Sequence, residues 1–207
     1  MLSSLSEVEK NKLDNGTLTD EEIKKVTLAV EKLSDIKLYI DDTPAITIEE
    51  IKEKCIRLKQ ERNIDLVVID YFQLIDTDKF IEDAKQQTTY ISNELKKLTE
   101  ELNIPIIVTS QLPRELELRE DKRPVLKDLK YSGSLIKDAD IIMFLYRDYY
   151  YNVNTKYMDE AELLIAKNKY SCTSTIKLKS LLKYSRFDNI ELKEQWGVKD
   201  NGRRNIK

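Results

Sequence analysis

Leu66-Val67-Val68-Ile69-Asp70, followed at once by Tyr71-Phe72-Gln73-Leu74, is the stretch that decides the fold. Four apolar residues ending in a carboxylate read as a strand buried on both faces, with its last residue held at the carboxyl edge of a sheet. There α/β nucleotide-binding proteins place an acid that holds magnesium. A solvent-exposed aspartate at a strand end is the other reading of the same residue. No G-x-x-x-x-G-K-[ST] phosphate loop accompanies it. The four glycines are Gly16, Gly133, Gly197 and Gly202, and none precedes Lys-Ser or Lys-Thr. The sequence carries one half of an ATPase site without the other.

Upstream of that strand, Thr47-Ile48-Glu49-Glu50 is a capping box that opens a helix with Ile51, Cys55 and Leu58 inward. Before it, Lys37-Leu38-Tyr39-Ile40 reads as a short strand closed by Asp41-Asp42. Thr19-Asp20-Glu21-Glu22 caps an earlier helix whose Ile23, Val26, Val30 and Leu33 share one face. Downstream, Ala84, Thr88, Ile91, Leu95, Leu98 and Leu102 alternate spacings of four and three, a long amphipathic helix that Asn103 can end. Ile104–Ser110 is the next strand, with Pro105 near its start, where a missing N–H is tolerated.

Residues 111–134 read as an exposed loop rich in charge. Ile141–Tyr146 is another buried strand, and Glu162–Ala166 and Thr175–Leu182 form a hairpin around a turn near Lys169–Ser174. The alternation of strand and helix predicts an α/β fold with a parallel sheet and antiparallel strands added at its end.

At 207 residues, one large domain is favoured over two small ones. The 35% of charged residues fits helices with solvated, salt-laced faces. Two distant cysteines, Cys55 and Cys172, point to a reducing compartment rather than a disulfide framework. No apolar run approaches membrane-spanning length, and the start has no signal-peptide pattern. With no histidine, His-based zinc sites and His general bases are excluded. The net charge is −3, yet residues 166–207 hold 11 Lys and Arg against 4 Asp and Glu. That basic end can attract phosphates, or simply be a solvated lysine-rich face.

Several blocks, taken in order, resemble the C-terminal, RecA-like ATPase domain of DnaB-type replicative DNA helicases. They are Tyr39–Pro44, Val68–Leu74, Glu101–Pro105, Ser110-Gln111-Leu112, Asp121–Pro124, Asp128–Ser134, Asp138-Ala139-Asp140, Tyr146-Arg147-Asp148 and the closing Lys183–Phe187. The resemblance runs from Leu2 to about Asn189. It implies a RecA-like, mostly parallel sheet flanked by helices, with a C-terminal antiparallel hairpin and the P-loop strand absent. Residues 1–197 would be a partial helicase domain and 198–207 a polar, disordered tail. The family's P-loop and catalytic glutamate would lie upstream of Met1. An uncovered apolar strip and open sheet edges are expected where the P-loop strand would have been.

The resemblance also implies ATP and Mg2+ as cofactors. Single-stranded DNA, identical or full-length helicase subunits in a hexameric ring, and a primase or loader are the implied partners. There is no membrane role, and the location is the cytoplasm or an organelle of bacterial origin. Asp70 would hold Mg2+ through water. Gln111, just past its strand, would sense the γ-phosphate or the attacking water. Lys167 and Lys169 stand where the family has a lysine and, two residues on, an arginine finger. Lys169 keeps the charge but lacks the bidentate fork. Lys130, Tyr131 and Gly133 fall at positions of the DNA-contacting loop, with Arg114, Arg119, Lys122 and Arg123 as further phosphate contacts. Taken as isolated residues, Lys167, Lys169 and the Gln111 amide are more often ordinary solvated loop groups. A helicase-like module that binds single-stranded DNA or a helicase ring without catalysis is the alternative function.

Overall fold

The computed structural model describes residues 1–79 and 83–190, without the side chains of Lys130, Tyr131 and Ser132. The tail expected over 198–207 lies outside the described residues. In chain order the helices and strands are α1 (Leu2–Ser6), α2 (Lys10–Asn15), α3 (Asp20–Ser34), α4 (Ile48–Arg62), β1 (Val67–Ile69), α5 (Ala84–Leu102) and β2 (Ile106–Val108). Then come α6 (Gly133–Asp138), β3 (Ile141–Tyr146), α7 (Asp148–Tyr151), β4 (Glu160–Asn168), β5 (Ser174–Leu181) and β6 (Arg186–Asn189). Strands β1 and β2 pair in parallel, and a second sheet has the order β3-β4-β5-β6. The architecture is α/β, with β5 and β6 antiparallel.

The chain divides into two compact units. Among the described residues, one draws on Met1–Ile36, Arg147–Glu162 and 177–190. In it α1 packs on α3, burying Val8 and Ala29. Ser3 Oγ donates to the Val8 carbonyl at 2.6 Å, which fixes the turn after α1. Thr19 and Glu22 form the reciprocal capping box of α3. The hydrogen bond from Lys12, with the Thr19 N–H, holds the Glu22 carboxyl down at about 2.

The other unit comprises Lys37–Tyr146 and Leu163–Ile176. Its larger apolar cluster joins Ile48, Ile51 and Cys55 of α4 to Ile91, Leu95, Leu98 and Leu102 of α5, with Phe72, Ile75 and Ile104. Val67, Ile69, Ile106 and Val108 pack against it from the β1–β2 pair. α4 opens on the Thr47–Glu50 capping box, and α5 ends at Asn103 in the left-handed conformation. Lys52 of α4 pairs with Glu94 of α5, and Tyr90 donates to Glu49 at 2.9 Å, so the two helices are also tied by polar contacts. A smaller cluster gathers Leu129, Ile142 and Phe144.

Several expectations are corrected. The β1 strand is not buried on both faces: Val68 is 59% exposed and its register partner Ile107 47%. Helices α4 and α5 cover one face only. Lys37–Ile40 is not a strand, because no strand among the described residues offers it a ladder, and Ile40 is 81% exposed. The inward residue of α3 is Ala29; Ile23 and Val30 are exposed and Val26 and Leu33 half-buried. The close approach of α1 selects a small side chain there, which a count of large apolar residues does not register. The 111–134 segment is also more anchored than a solvated loop, since Leu116, Pro124 and Leu129 are buried.

Candidate functional site

The parallel register Val67↔Ile106, Val68↔Ile107, Ile69↔Val108 brings the residues after β1 and β2 side by side at the carboxyl edge of the pair. The ladder continues through Thr109 N–H to the Ile69 carbonyl at 3.0 Å and Phe72 N–H to the Thr109 carbonyl at 2.9 Å. Asp70 and Thr109 are therefore fixed by backbone before any side chain acts. Thr109 Oγ1 donates to Asp70 Oδ1 at 2.5 Å, and Asp70 is exposed. Among the described residues it has no cationic partner. A carboxylate oriented by one hydroxyl and otherwise open suits a hydrated magnesium ion, which prefers one or two carboxylates plus phosphate oxygens to an all-protein cage. No cluster of three acidic or thiol ligands occurs among the described residues.

Gln73, in the 3-10 turn Phe72–Leu74, clamps the end of β2. Its Oε1 accepts from the Gln111 N–H at 3.2 Å, and its Nε2 donates to Ser110 Oγ at 3.0 Å. The backbone of Gln111 is thus fixed while its side chain stays exposed. The residue pattern alone assigns Gln73 no role. Its one signal is a polar amide three residues past Asp70 in an otherwise apolar run. A cleft of about 710 Å3 opens beside it, lined among others by Gln73, Gln111, Leu112, Arg114 and Leu129. Arg114 is exposed on that wall and has no ion-pair partner among the described residues.

The two lysines fare differently. Lys167 Nζ donates to the carbonyls of Ile136 at 2.7 Å, Lys137 at 3.2 Å and Ala139 at 2.6 Å. It neutralises the carbonyl end of α6 and is fully occupied there. Lys169 is exposed and lies 3.4 Å from Asp140, which also pairs with Lys96 at 2.7 Å. The hydrogen bond from Lys96 holds the Asp140 carboxyl below the ordinary carboxylate range.

Of the loop residues, Lys130 and Tyr131 have side chains outside the described residues. Gly133 starts α6 with φ −57°, and nothing lies within 4 Å of where a Cβ would be, so the fold itself does not demand glycine there. Arg123 lies over the Tyr146 ring at 4.7 Å and pairs with Asp121 at 3.4 Å. Arg119 grips Asp128 with both terminal nitrogens. The structure therefore joins Asp70, Gln73, Thr109 and Gln111 into one edge, with Arg114 on the adjoining wall. Lys167 and Arg123 are engaged in contacts of their own.

The sequence profile of the DnaB-like helicase C terminal domain matches residues 1–189. The chain is 42% identical over 192 residues to the replicative DNA helicase DnaB of Geobacillus stearothermophilus and 43% identical over 192 residues to the replicative DNA helicase DnaC of Bacillus subtilis. Each alignment spans 92% of this chain but only 42% of the relative, so the chain corresponds to less than half the length of these proteins. Among solved structures, a DnaB-like replicative helicase studied for its interactions with primase superposes with a TM-score of 0.86 at 33% identity, over 92% of this chain and 46% of that one. A separately solved ATPase domain gives the same TM-score and identity, over 68% of its own chain.

Proposed function

The chain belongs to the DnaB-like helicase C-terminal domain family, and from that premise we propose that it is the rear part of a replicative helicase motor, coupling ATP hydrolysis to movement on single-stranded DNA. The reading is carried by one observation: Asp70 stands open at the carboxyl edge beside Thr109, with Gln111 pinned by Gln73. Bound Mg2+–ATP would supply the phosphoryl group and the charge neutralisation that its transfer needs. Asp70 would hold the ion through water, and Gln111 would present its amide to the terminal phosphate. Lys169 would take the place of the family's arginine finger, with charge but without a fork. Lys130, Tyr131, Gly133 and Arg114 would meet the DNA backbone. Like subunits in a hexameric ring, and a primase or loader, are the proposed partners.

With no phosphate loop in its sequence, the chain alone lacks the backbone cradle and lysine that position a triphosphate. Negligible ATP turnover is expected from it. The test joins the part of the Geobacillus relative that this chain does not span to its N-terminus and measures DNA-stimulated ATP hydrolysis. Asp70→Asn in that chimera is expected to abolish turnover while leaving the melting temperature unchanged. Equal turnover with and without Asp70 would sink the assignment.

A second reading, a non-catalytic module that binds single-stranded DNA or a helicase ring, is favoured by the engagement of Lys167 with α6. It predicts salt-dependent DNA binding that ATP does not alter.

A further inference from the structure

We propose that Arg119 and Asp128 are positioning residues that hold the segment Leu126–Ser132 in the form that meets a nucleic-acid phosphate backbone; this rests on the DNA-loop reading above. The sequence offers Arg119 as one more phosphate contact, but its geometry says otherwise. Nη1 donates to Asp128 Oδ1 at 3.1 Å and Nη2 to Oδ2 at 2.9 Å, the paired fork that only arginine makes with a carboxylate. Nη2 also donates to the Arg123 carbonyl at 2.8 Å, and Nε is buried with no hydrogen-bond partner among the described residues. The guanidinium is turned inward and committed.

Asp128 is used as completely. Its side chain is 10% exposed, and Oδ2 accepts a third hydrogen bond from the Val125 N–H at 2.8 Å. That bond caps the first turn of Leu126–Ser132. Next to Asp128, Leu129 is buried in the cluster with Ile142 and Phe144. The segment is therefore pinned by an ion pair and an apolar anchor immediately before Lys130. Arg119 itself closes the 3-10 turn Arg114–Leu118, whose Leu116 is buried and whose start lies three residues after Gln111. One guanidinium thus ties the stretch that leaves the nucleotide edge to the stretch that carries the DNA contacts.

The charges give a test that a direct contact could not pass. A carboxylate beside a phosphate site repels the ligand, so on charge alone Asp128→Asn should tighten DNA binding. If Asp128 positions the loop, the same change weakens it. The 207-residue chain is titrated with a fluorescently labelled oligo-dT across a salt series, and hydrogen–deuterium exchange is followed in parallel. For Asp128→Asn and for Arg119→Lys, which keeps the charge but loses the fork, we expect about tenfold weaker binding and a salt slope shallower by about 0.7 for each phosphate no longer neutralised. Faster exchange should be confined to residues 119–133, with melting unchanged.

Tighter or unchanged binding by Asp128→Asn overturns the proposal. So does exchange that rises throughout the chain with a lowered melting temperature, which marks a general folding role. If the unsubstituted chain fails to bind oligo-dT even at low salt, the DNA-loop reading falls and takes this inference with it. Binding by the unsubstituted chain with no change in either variant removes this inference alone.

Discussion

The two faces of the β1–β2 pair are built from the same kind of residue and have opposite surroundings. Val67, Ile69, Ile106 and Val108 pack into the cluster under α4 and α5, while Val68 and Ile107 face away and are exposed. The same alternation recurs in β3, where Ile142, Phe144 and Tyr146 are buried and Ile141, Met143 and Leu145 exposed. The covered face supplies stability and holds the carboxyl edge in register. The open face is apolar surface that a folded protein seldom leaves to water. Asp70 and Gln111 sit where the covered face ends, so their geometry is set from that face.

The largest effect that would break this contrast comes from α5. Leu98 is fully buried at the centre of the covered face, and Leu98→Ala is expected to lower stability by about 2–5 kcal/mol, read from urea unfolding. A loss under about 0.5 kcal/mol, typical of a surface change, would mean that the cluster is not packed as described.

Acid comes next. Hydrogen bonds from Lys52 and Lys97 hold the Glu94 carboxyl below its ordinary 4.5. A carboxylate with a lowered folded value adds stability that is complete above the unfolded value and is lost as pH falls through the folded one. The α4–α5 tie should therefore weaken below pH 4.5, and Glu94→Gln should flatten that part of the stability–pH curve. An unaltered curve would remove the tie from the account.

Removing the α4 cap by Thr47→Ala is expected to lower stability by about 1 kcal/mol, since the Glu50 N–H loses its acceptor and the Thr47–Glu50 reciprocity goes with it. Thermal unfolding reads that change. The smallest effect belongs to the open face. Val68→Thr should leave stability within about 0.5 kcal/mol of the unsubstituted chain and reduce self-association in light scattering. A destabilisation comparable to that of Leu98→Ala would show the two faces to be alike.

Local chemistry was legible in the sequence. Both capping boxes, the full extent of α5 and its stop at Asn103 depend on residues within a few positions of one another, and all formed where their side-chain patterns put them. The carboxyl-edge position of Asp70 was legible for a similar reason, because the apolar run and the acid that ends it are neighbours in the chain. What failed depended on partners distant in sequence. Lys37–Ile40 had strand composition but no strand neighbour among the described residues, and α3 turned Ala29 inward because α1 approaches it closely.

The sequence by itself determined the capped starts of α3 and α4, the span of α5, the edge position of Asp70 and the family, since each rests on capping, periodicity or ordered motifs. Only the tertiary structure decided that Gln73 clamps Gln111, that Lys167 is spent on the carbonyl end of α6, and that Arg119 grips Asp128. A long polar side chain bonds to whichever complementary group the fold brings within about 3 Å, and that group is fixed by packing rather than by chain neighbours.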